Sequence, residues 1–169
     1  MIEMIVAGIA MDAGTRNPIV LLRDASERRQ LPIFISPEQA KAISAGLGGE
    51  KPTRPMTHDL MANAFEFGGL KLKRVVIHAL KDNTFYAVMT VSKGRGKDKK
   101  EKKKELDARP SDAISLALRM NAPIWVMEEV VLDAAMPVDR DADAAEKEAF
   151  HNFLSDISPA DFAERGRSI

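Results

Sequence analysis

Two short polar clusters carry the residue types that hydrolytic chemistry needs. The first is Asp107, Arg109 and Asp112, within the run LDARPSDAI. Asp107 and Arg109 stand two apart at a predicted strand end, so their side chains share a face. Asp112 falls in the first turn of a predicted helix, where free N–H groups favour an acid. Two carboxylates converging beside an arginine are a donor set for a divalent metal and a phosphate. The plainer alternative is structural: Asp112 steadies the helix start and Arg109 pairs with a neighbouring acid.

The second cluster is Arg54, His58 and Asp59, after the proline-braced loop EKPTRP. A histidine at a helix start can serve as a general base, and an arginine four residues earlier can hold a phosphate. Here too a structural role competes, with Asp59 as a first-turn acid and His58 in solvent. Glu38 and Gln39 open another helix, and Gln39 is best explained as a capping residue. His78 alternates with Ile77 on a strand and faces solvent or an interface. His151 lies in a weakly patterned tail.

Between the two clusters lies KGRGKDKKEKKK at 93–104, with eight Lys/Arg against two acids. Such a run attracts phosphates. Lys97, Lys99, Lys100, Lys102 and Lys103 are its nucleic-acid-binding candidates. No aromatic residue interleaves, so backbone contact without base stacking is indicated. A solvated, solubilising loop is the competing explanation.

The 169-residue chain has formal net charge +0, unevenly spread. Residues 133–169 hold nine acids and four Lys/Arg, so the body is basic and the tail acidic. A neutral total therefore does not exclude a polyanionic partner. Cysteine is absent, which excludes disulfides, thiolate nucleophiles and cysteine-ligated metal centres. The expected compartment is the cytoplasm. The apolar start MIEMIVAGIAMD lacks a basic leader and reads as a strand, and no apolar run is long enough to span a membrane. There is no GxGxxG, no phosphate loop ending in GK[ST] and no HExxH. With oxygen ligands such as Asp107 and Asp112, the metal expected is Mg²⁺ or Mn²⁺.

The elements that must position these groups follow from patterning. Strands are predicted over 2–11, 18–23 and 28–35, with Pro32 suited to an edge. Ser36, Pro37 and Gln39 start a helix whose buried stripe is Ala40, Ile43 and Leu47, stopped by Gly48 and Gly49. Thr57 caps a second helix with Met56 and Met61 as a staple and Leu60, Met61, Ala64 and Phe65 inward. A hairpin joins 72–80 to 84–92 through Asp82 and Asn83. A short strand over 105–108 follows. A third helix starts at Pro110, with Ala113, Ile114, Ala117 and Leu118 inward. Residues 123–127 form a buried strand, and 128–132 a helical turn. The tail can hold an amphipathic helix over 141–155 through Ala145, Ala149 and Phe153. The expected fold is α+β, a mixed two-layer domain with antiparallel hairpins and three core helices. The division is a domain over 1–132 and an acidic, partly helical tail over 133–169.

Four segments in this order resemble the bifunctional nuclease family, whose members are named for action on DNA and RNA. They are LPIFISPEQAKAI at 31–43, RPMTHDLMANAFEFGG at 54–69, RVVIHALKDNTFYAVMTV at 74–91 and LDARPSDAISLALRMNAPIWVMEEV at 106–130. The resemblance covers about residues 3–132; DARPSDAI and THDL are its most distinctive parts. It implies an α+β fold, a homo-oligomer and nuclease activity. Their polar residues are Arg54, Thr57, His58 and Asp59 in one segment, and Asp107, Arg109, Ser111 and Asp112 in the other. The chain departs from the family pattern in its long lysine-rich link and in an acidic tail that does not look like the C-terminal excision-repair-type module of many members.

The function expected is hydrolysis of phosphodiester bonds in DNA and/or RNA with a divalent metal. Asp107, Asp112, His58 and Asp59 are the catalytic candidates, and Arg54 and Arg109 hold phosphate. The alternative is a non-catalytic oligomeric binding or regulatory domain, contacting nucleic acid or an acidic partner through the lysines.

Overall fold

The alternating apolar pattern of the strands is realised in one mixed sheet. The computed structural model describes residues 1–49, 52–93, 102–138, 148–150 and 152. In chain order the elements are β1 (Ile2–Met11), β2 (Pro18–Asp24), β3 (Arg29–Phe34), α1 (Pro37–Gly48), α2 (Thr57–Phe67), β4 (Leu70–Lys81), β5 (Thr84–Lys93), β6 (Lys102–Ala108), α3 (Pro110–Met120), β7 (Ile124–Val126), α4 (Glu128–Ala134) and β8 (Met136–Pro137). The sheet order is β6-β5-β4-β7-β1-β2-β3-β8. Neighbours are antiparallel except β4 and β7, which run parallel.

Register carries the alternation across strands. Ile9 pairs with Val20 and Val20 with Ile33, and all three are buried in the main core. The same core holds Ile43 of α1, Ala113, Ile114 and Leu116 of α3, and Val130 and Val131 of α4. Helices therefore cover one face, giving the two-layer α+β domain. Pro32 sits in β3 without cost because β8 pairs only with Arg29 and Gln30. The β4–β5 turn places Asp82 at φ 47 and Asn83 at φ 57, as a two-residue hairpin demands.

α3 is buried more completely than its predicted stripe. Pro110, Ser111 and Ala113 to Ala117 are all buried, leaving Asp112 as the half-buried member of its first turns. The cause is sheet curvature. Four strands lie between β3 and β5, yet Ile33–Ile35 and Thr84–Phe85 line one hollow at the start of α3.

Helix faces differ in detail from expectation. Ser36 and Gln39 do form the capping box of α1, and Gly49 ends it at φ 63. Leu47, however, is 41% exposed. α1 meets α3 through small residues instead: a Cβ on Gly46 would lie 3.0 Å from Arg119 Nη1 and 3.1 Å from Leu118 Cβ. That close approach turns Leu47 outward. In α2 the cap is Met56, not Thr57, and Asp59 accepts the Met56 N–H at 2.8 Å. α2 contacts only α3 and β4 closely, so it buries none of its residues fully. Ala62 and Phe65 pack on the core, while Leu60, Met61 and Ala64 are exposed.

β6 begins at Lys102, so Lys102–Lys104 belong to a strand and not to a loop. α4 runs to Ala134, β8 adds to the sheet edge, and Phe150 is buried in the main core. Ala149, predicted inward, is exposed; Ala145 and Phe153 lie outside the described residues. Among the described residues no helix is long and apolar enough to cross a membrane.

Candidate functional site

The packing of α2 against α3 brings two sequence-distant segments together. His58 is the second residue of α2 and Asp112 the third of α3. His58 Nε2 lies 3.1 Å from Asp112 Oδ1, across 54 residues of chain. Arg109, immediately before α3, donates its Nε to Asp112 Oδ2 at 2.6 Å. One carboxylate thus holds an imidazole and a guanidinium. Their exposures grade outward: the side chains of His58, Asp112 and Arg109 are 13%, 31% and 70% accessible. Arg109 therefore presents its remaining N–H groups to solvent, while His58 stays partly enclosed.

Burial pushes the Asp112 carboxyl up, but hydrogen bonds from Arg109 and His58 outweigh it and hold the group below the usual carboxylate range. Asp112 is thereby kept ionised. When His58 Nε2 carries its proton toward Asp112, Nδ1 is left as the acceptor. A carboxylate that fixes the tautomer of an imidazole is the arrangement by which a histidine is made a directed base.

Asp59, next to His58, has its own partners. Its Oδ1 accepts from Arg119 Nε and its Oδ2 from the Met56 N–H. The hydrogen bond from Arg119 is the largest influence on the Asp59 carboxyl, and it holds the group below its ordinary range. Arg119 is 9% exposed and also donates Nη1 to the carbonyls of Ala42 and Ser115, each at 3.0 Å. A single guanidinium therefore ties α1, α2 and α3 together. Asp59 is a member of this clamp.

The other candidates stand apart from this pair. Asp107 pairs with Val88 in the sheet and is exposed, whereas Leu106 and Ala108 turn toward the core. Alternation puts its carboxylate on the sheet face away from α3. Arg54 is exposed in the loop before α2. Lys102 and Lys103 are exposed on β6, opposite Lys93 and Ser92; Lys97, Lys99 and Lys100 lie outside the described residues. Among the described residues no group of three or more His, Asp or Glu is placed to hold a metal ion. With Asp112 engaged on both oxygens and Asp107 facing away, these two do not fit as joint ligands of one metal as they stand.

This geometry coincides with a family match. The bifunctional nuclease domain matches residues 20–139. The chain belongs to the bifunctional nuclease domain family. Its relatives include uncharacterized protein MT1877 of Mycobacterium tuberculosis (strain CDC 1551 / Oshkosh), 36% identical over 168 residues, covering 95% of this chain and 97% of the relative. Uncharacterized protein Rv1829 of Mycobacterium tuberculosis (strain ATCC 25618 / H37Rv) shows the same identity and coverage.

Within this bifunctional nuclease domain, Arg119 is the site-building residue that sequence reading passed over. It sits in the last turn of α3, where a basic side chain is ordinarily explained by the helix C-terminus. The overlooked signal was the glycine at 46. A residue without a side chain inside the last turn of α1 marks a close approach, and the group approaching is the Arg119 guanidinium.

Proposed function

We propose that this protein hydrolyses phosphodiester bonds in DNA and/or RNA at the start of α3. The observation that carries the reading is the shared carboxylate: Asp112 holds His58 at 3.1 Å and Arg109 at 2.6 Å, in a chain of a nuclease-domain family. In this reading His58 takes the proton of the attacking water, Asp112 orients the imidazole, and Arg109 meets the charge that grows on phosphate. The exposed lysines of β6 hold the flanking backbone.

A divalent cation, Mg²⁺ or Mn²⁺, belongs to the proposal as an ion arriving with the polyanion, since Mg²⁺ commonly shares its shell between a carboxylate or two and substrate phosphates. Exposed Asp107 is the carboxylate available for it. Self-association and a cytoplasmic location complete the reading.

The test is cleavage of single-stranded DNA, duplex DNA and RNA by purified protein, with Mg²⁺, with Mn²⁺ and with EDTA. His58→Ala and Asp112→Asn should each lower kcat by about 10²- to 10⁴-fold, the range of a directed general base. Arg109→Ala should lower kcat/KM, and Asp107→Asn should matter only where the cation does. Equal turnover by wild type and the His58 and Asp112 variants would sink the assignment.

One observation favours a second reading. The Arg109–Asp112–His58 contacts also tie α2 to α3, a purely structural use of the same groups. A non-catalytic binding domain would show salt-sensitive nucleic-acid binding without turnover, and lower stability in Asp112→Asn.

A further inference from the structure

The helix layer leaves one apolar face uncovered. α2 packs on α3 and β4 through Ala62 and Phe65, and His58 turns the same way, toward Asp112. The other side of α2 is not polar. At about 100° per residue, Leu60, Met61, Ala64 and Phe67 fall within a sector of about 120°, turned away from the side that holds His58, Ala62 and Phe65. That outer sector is open: Phe67 is 98% exposed, Leu60 61% and Met61 37%. Thr57 and Gly68 complete it, so it carries no charge in a chain whose residues are 30% charged. A helix apolar on both sides is ordinarily buried on both sides. Here α2 buries none of its residues fully, although it carries His58.

We propose that the outer face of α2 is a two-fold interface with α2 of a second copy of this chain. This interface gives the self-association a surface and does not depend on the hydrolytic reading. Its size suits a second copy. An exposed phenylalanine offers about 200 Å², and with Leu60, Met61 and Ala64 the face reaches about 400 Å² of apolar side chain, within the roughly 300–600 Å² of a monomer's largest patch. Two such faces remove about 800 Å² from water. At the roughly 57% apolar share of ordinary interfaces, a polar rim brings the total to about 1,400 Å², inside the standard range of about 1,200–2,000 Å². Composition agrees, because interface cores gather Phe and Met and shed charge. Shape decides for a copy of the same helix. Along α2 the order is large, small, large: Leu60 and Met61, then Ala64, then Phe67. An antiparallel pair centred near Ala64 sets Phe67 of each copy against Leu60 and Met61 of the other, with the two Ala64 residues at the crossing. The face is thereby self-complementary, as a two-fold contact requires. Antiparallel alignment also opposes the two helix dipoles. The second copy supplies the backing that α3 and β4 leave out, and it braces the helix that carries His58 from behind.

The experiment is sedimentation velocity of the full chain over about 1–100 μM, the range in which a modest interface dissociates. Wild type should pass from the 18.6 kDa monomer to twice that mass as concentration rises. Phe67→Lys and Ala64→Arg should each raise the dimer dissociation constant at least about thirtyfold, as an interface hot spot does, with the fold intact by circular dichroism. Phe67→Leu should keep the dimer. Because the chain has no cysteine, Ala64→Cys introduces a single thiol at the two-fold axis. Under mild oxidation it should cross-link two copies faster than Glu66→Cys, whose thiol is turned off the face. A wild type that stays monomeric throughout overturns the proposal and leaves the face to this chain's own tail or to another protein. A dimer that Phe67→Lys and Ala64→Arg leave unchanged overturns it as well, as does faster cross-linking through Glu66→Cys. None of these readouts involves cleavage, so the nuclease reading stands or falls separately on the His58 and Asp112 variants.

Discussion

Arg119→Leu is expected to destabilise the domain by about 3 kcal/mol, among the larger effects of any single polar substitution in this protein. The figure follows from what the side chain touches. Arg119 is 9% exposed and donates to Asp59, to the Ala42 carbonyl and to the Ser115 carbonyl. Breaking a buried ion pair by removing one partner costs about 3–5 kcal/mol, mostly because the other charge is stranded. Here the stranded group is Asp59, which is 22% exposed and keeps the Met56 N–H, so water recovers part of the loss. The low end of the range therefore applies. Asp59→Asn leaves the guanidinium without a counter-ion but with both carbonyls, and should cost about 2 kcal/mol. The double variant should be less destabilised than the sum of the singles by about 1–2 kcal/mol, since the pair is in direct contact. Urea unfolding of the four proteins measures all of this: with a slope of about 2 kcal/mol/M, the Arg119→Leu midpoint falls by about 1.5 M. A loss under about 1 kcal/mol, or singles that add within about 0.5 kcal/mol, would refute the clamp. The same substitution should also loosen His58, which adjoins Asp59. Its imidazole NMR signals should broaden or shift in Arg119→Leu while residues of β1–β3 stay put.

Acid should unfold this protein partly through two carboxyls. Asp59 and Asp112 are both held below their ordinary range in the folded state, so each contributes stability that is complete above the unfolded value of about 4 and disappears as pH falls through the folded value. Urea midpoints from about pH 6 to pH 2.5 should drop steeply below about pH 4, and less steeply in Asp59→Asn and Asp112→Asn. Ser36→Ala removes the acceptor that Gln39 N–H uses at 3.3 Å and should cost about 1 kcal/mol, read from the same unfolding curves. Lys102→Ser with Lys103→Ser should weaken nucleic-acid binding on all sequences alike and reduce the salt slope by about 1 for a single strand, measured by titration at several ionic strengths.

What could be seen in the chain before folding was what short-range chemistry dictates. Ser36, Pro37 and Gln39 announce α1 because a cap is made within four residues, and Asp82–Asn83 announces the hairpin because two positive-φ residues suffice. The β4–β5 strands ran longer than predicted, but their pairing was legible. Helix faces were less so. Leu47 belongs to the apolar period of α1, yet the helix turns toward α3 on Ala42 and Gly46, a choice fixed by the partner's shape and not by α1 itself. Leu60 and Met61 fit the apolar period of α2, yet both are exposed because α2 docks chiefly on α3 and β4. β8 was invisible because two residues, Met136 and Pro137, carry no periodicity.

The site shows the same limit more sharply. Asp112 and His58 were each singled out locally, but their contact spans 54 residues and no local rule joins them. Proximity in sequence suggested Asp107 with Asp112, and Asp59 with His58. The fold rearranges both pairs: the strand pleat turns Asp107 to the far face, and Arg119, sixty residues away, takes Asp59. His58 thus takes its carboxylate from across the helix joint, while its chain neighbour Asp59 is held by Arg119. Without the clamp, α2 would lose the tie that Arg119 makes from Asp59 to the Ala42 and Ser115 carbonyls. The distinctive THDL and DARPSDAI segments therefore make sense as a matched set with Arg119: Asp59 fixes the helix, His58 and Asp112 meet across the joint, and Arg109 and Ser111 face the hollow where a polyanion would lie.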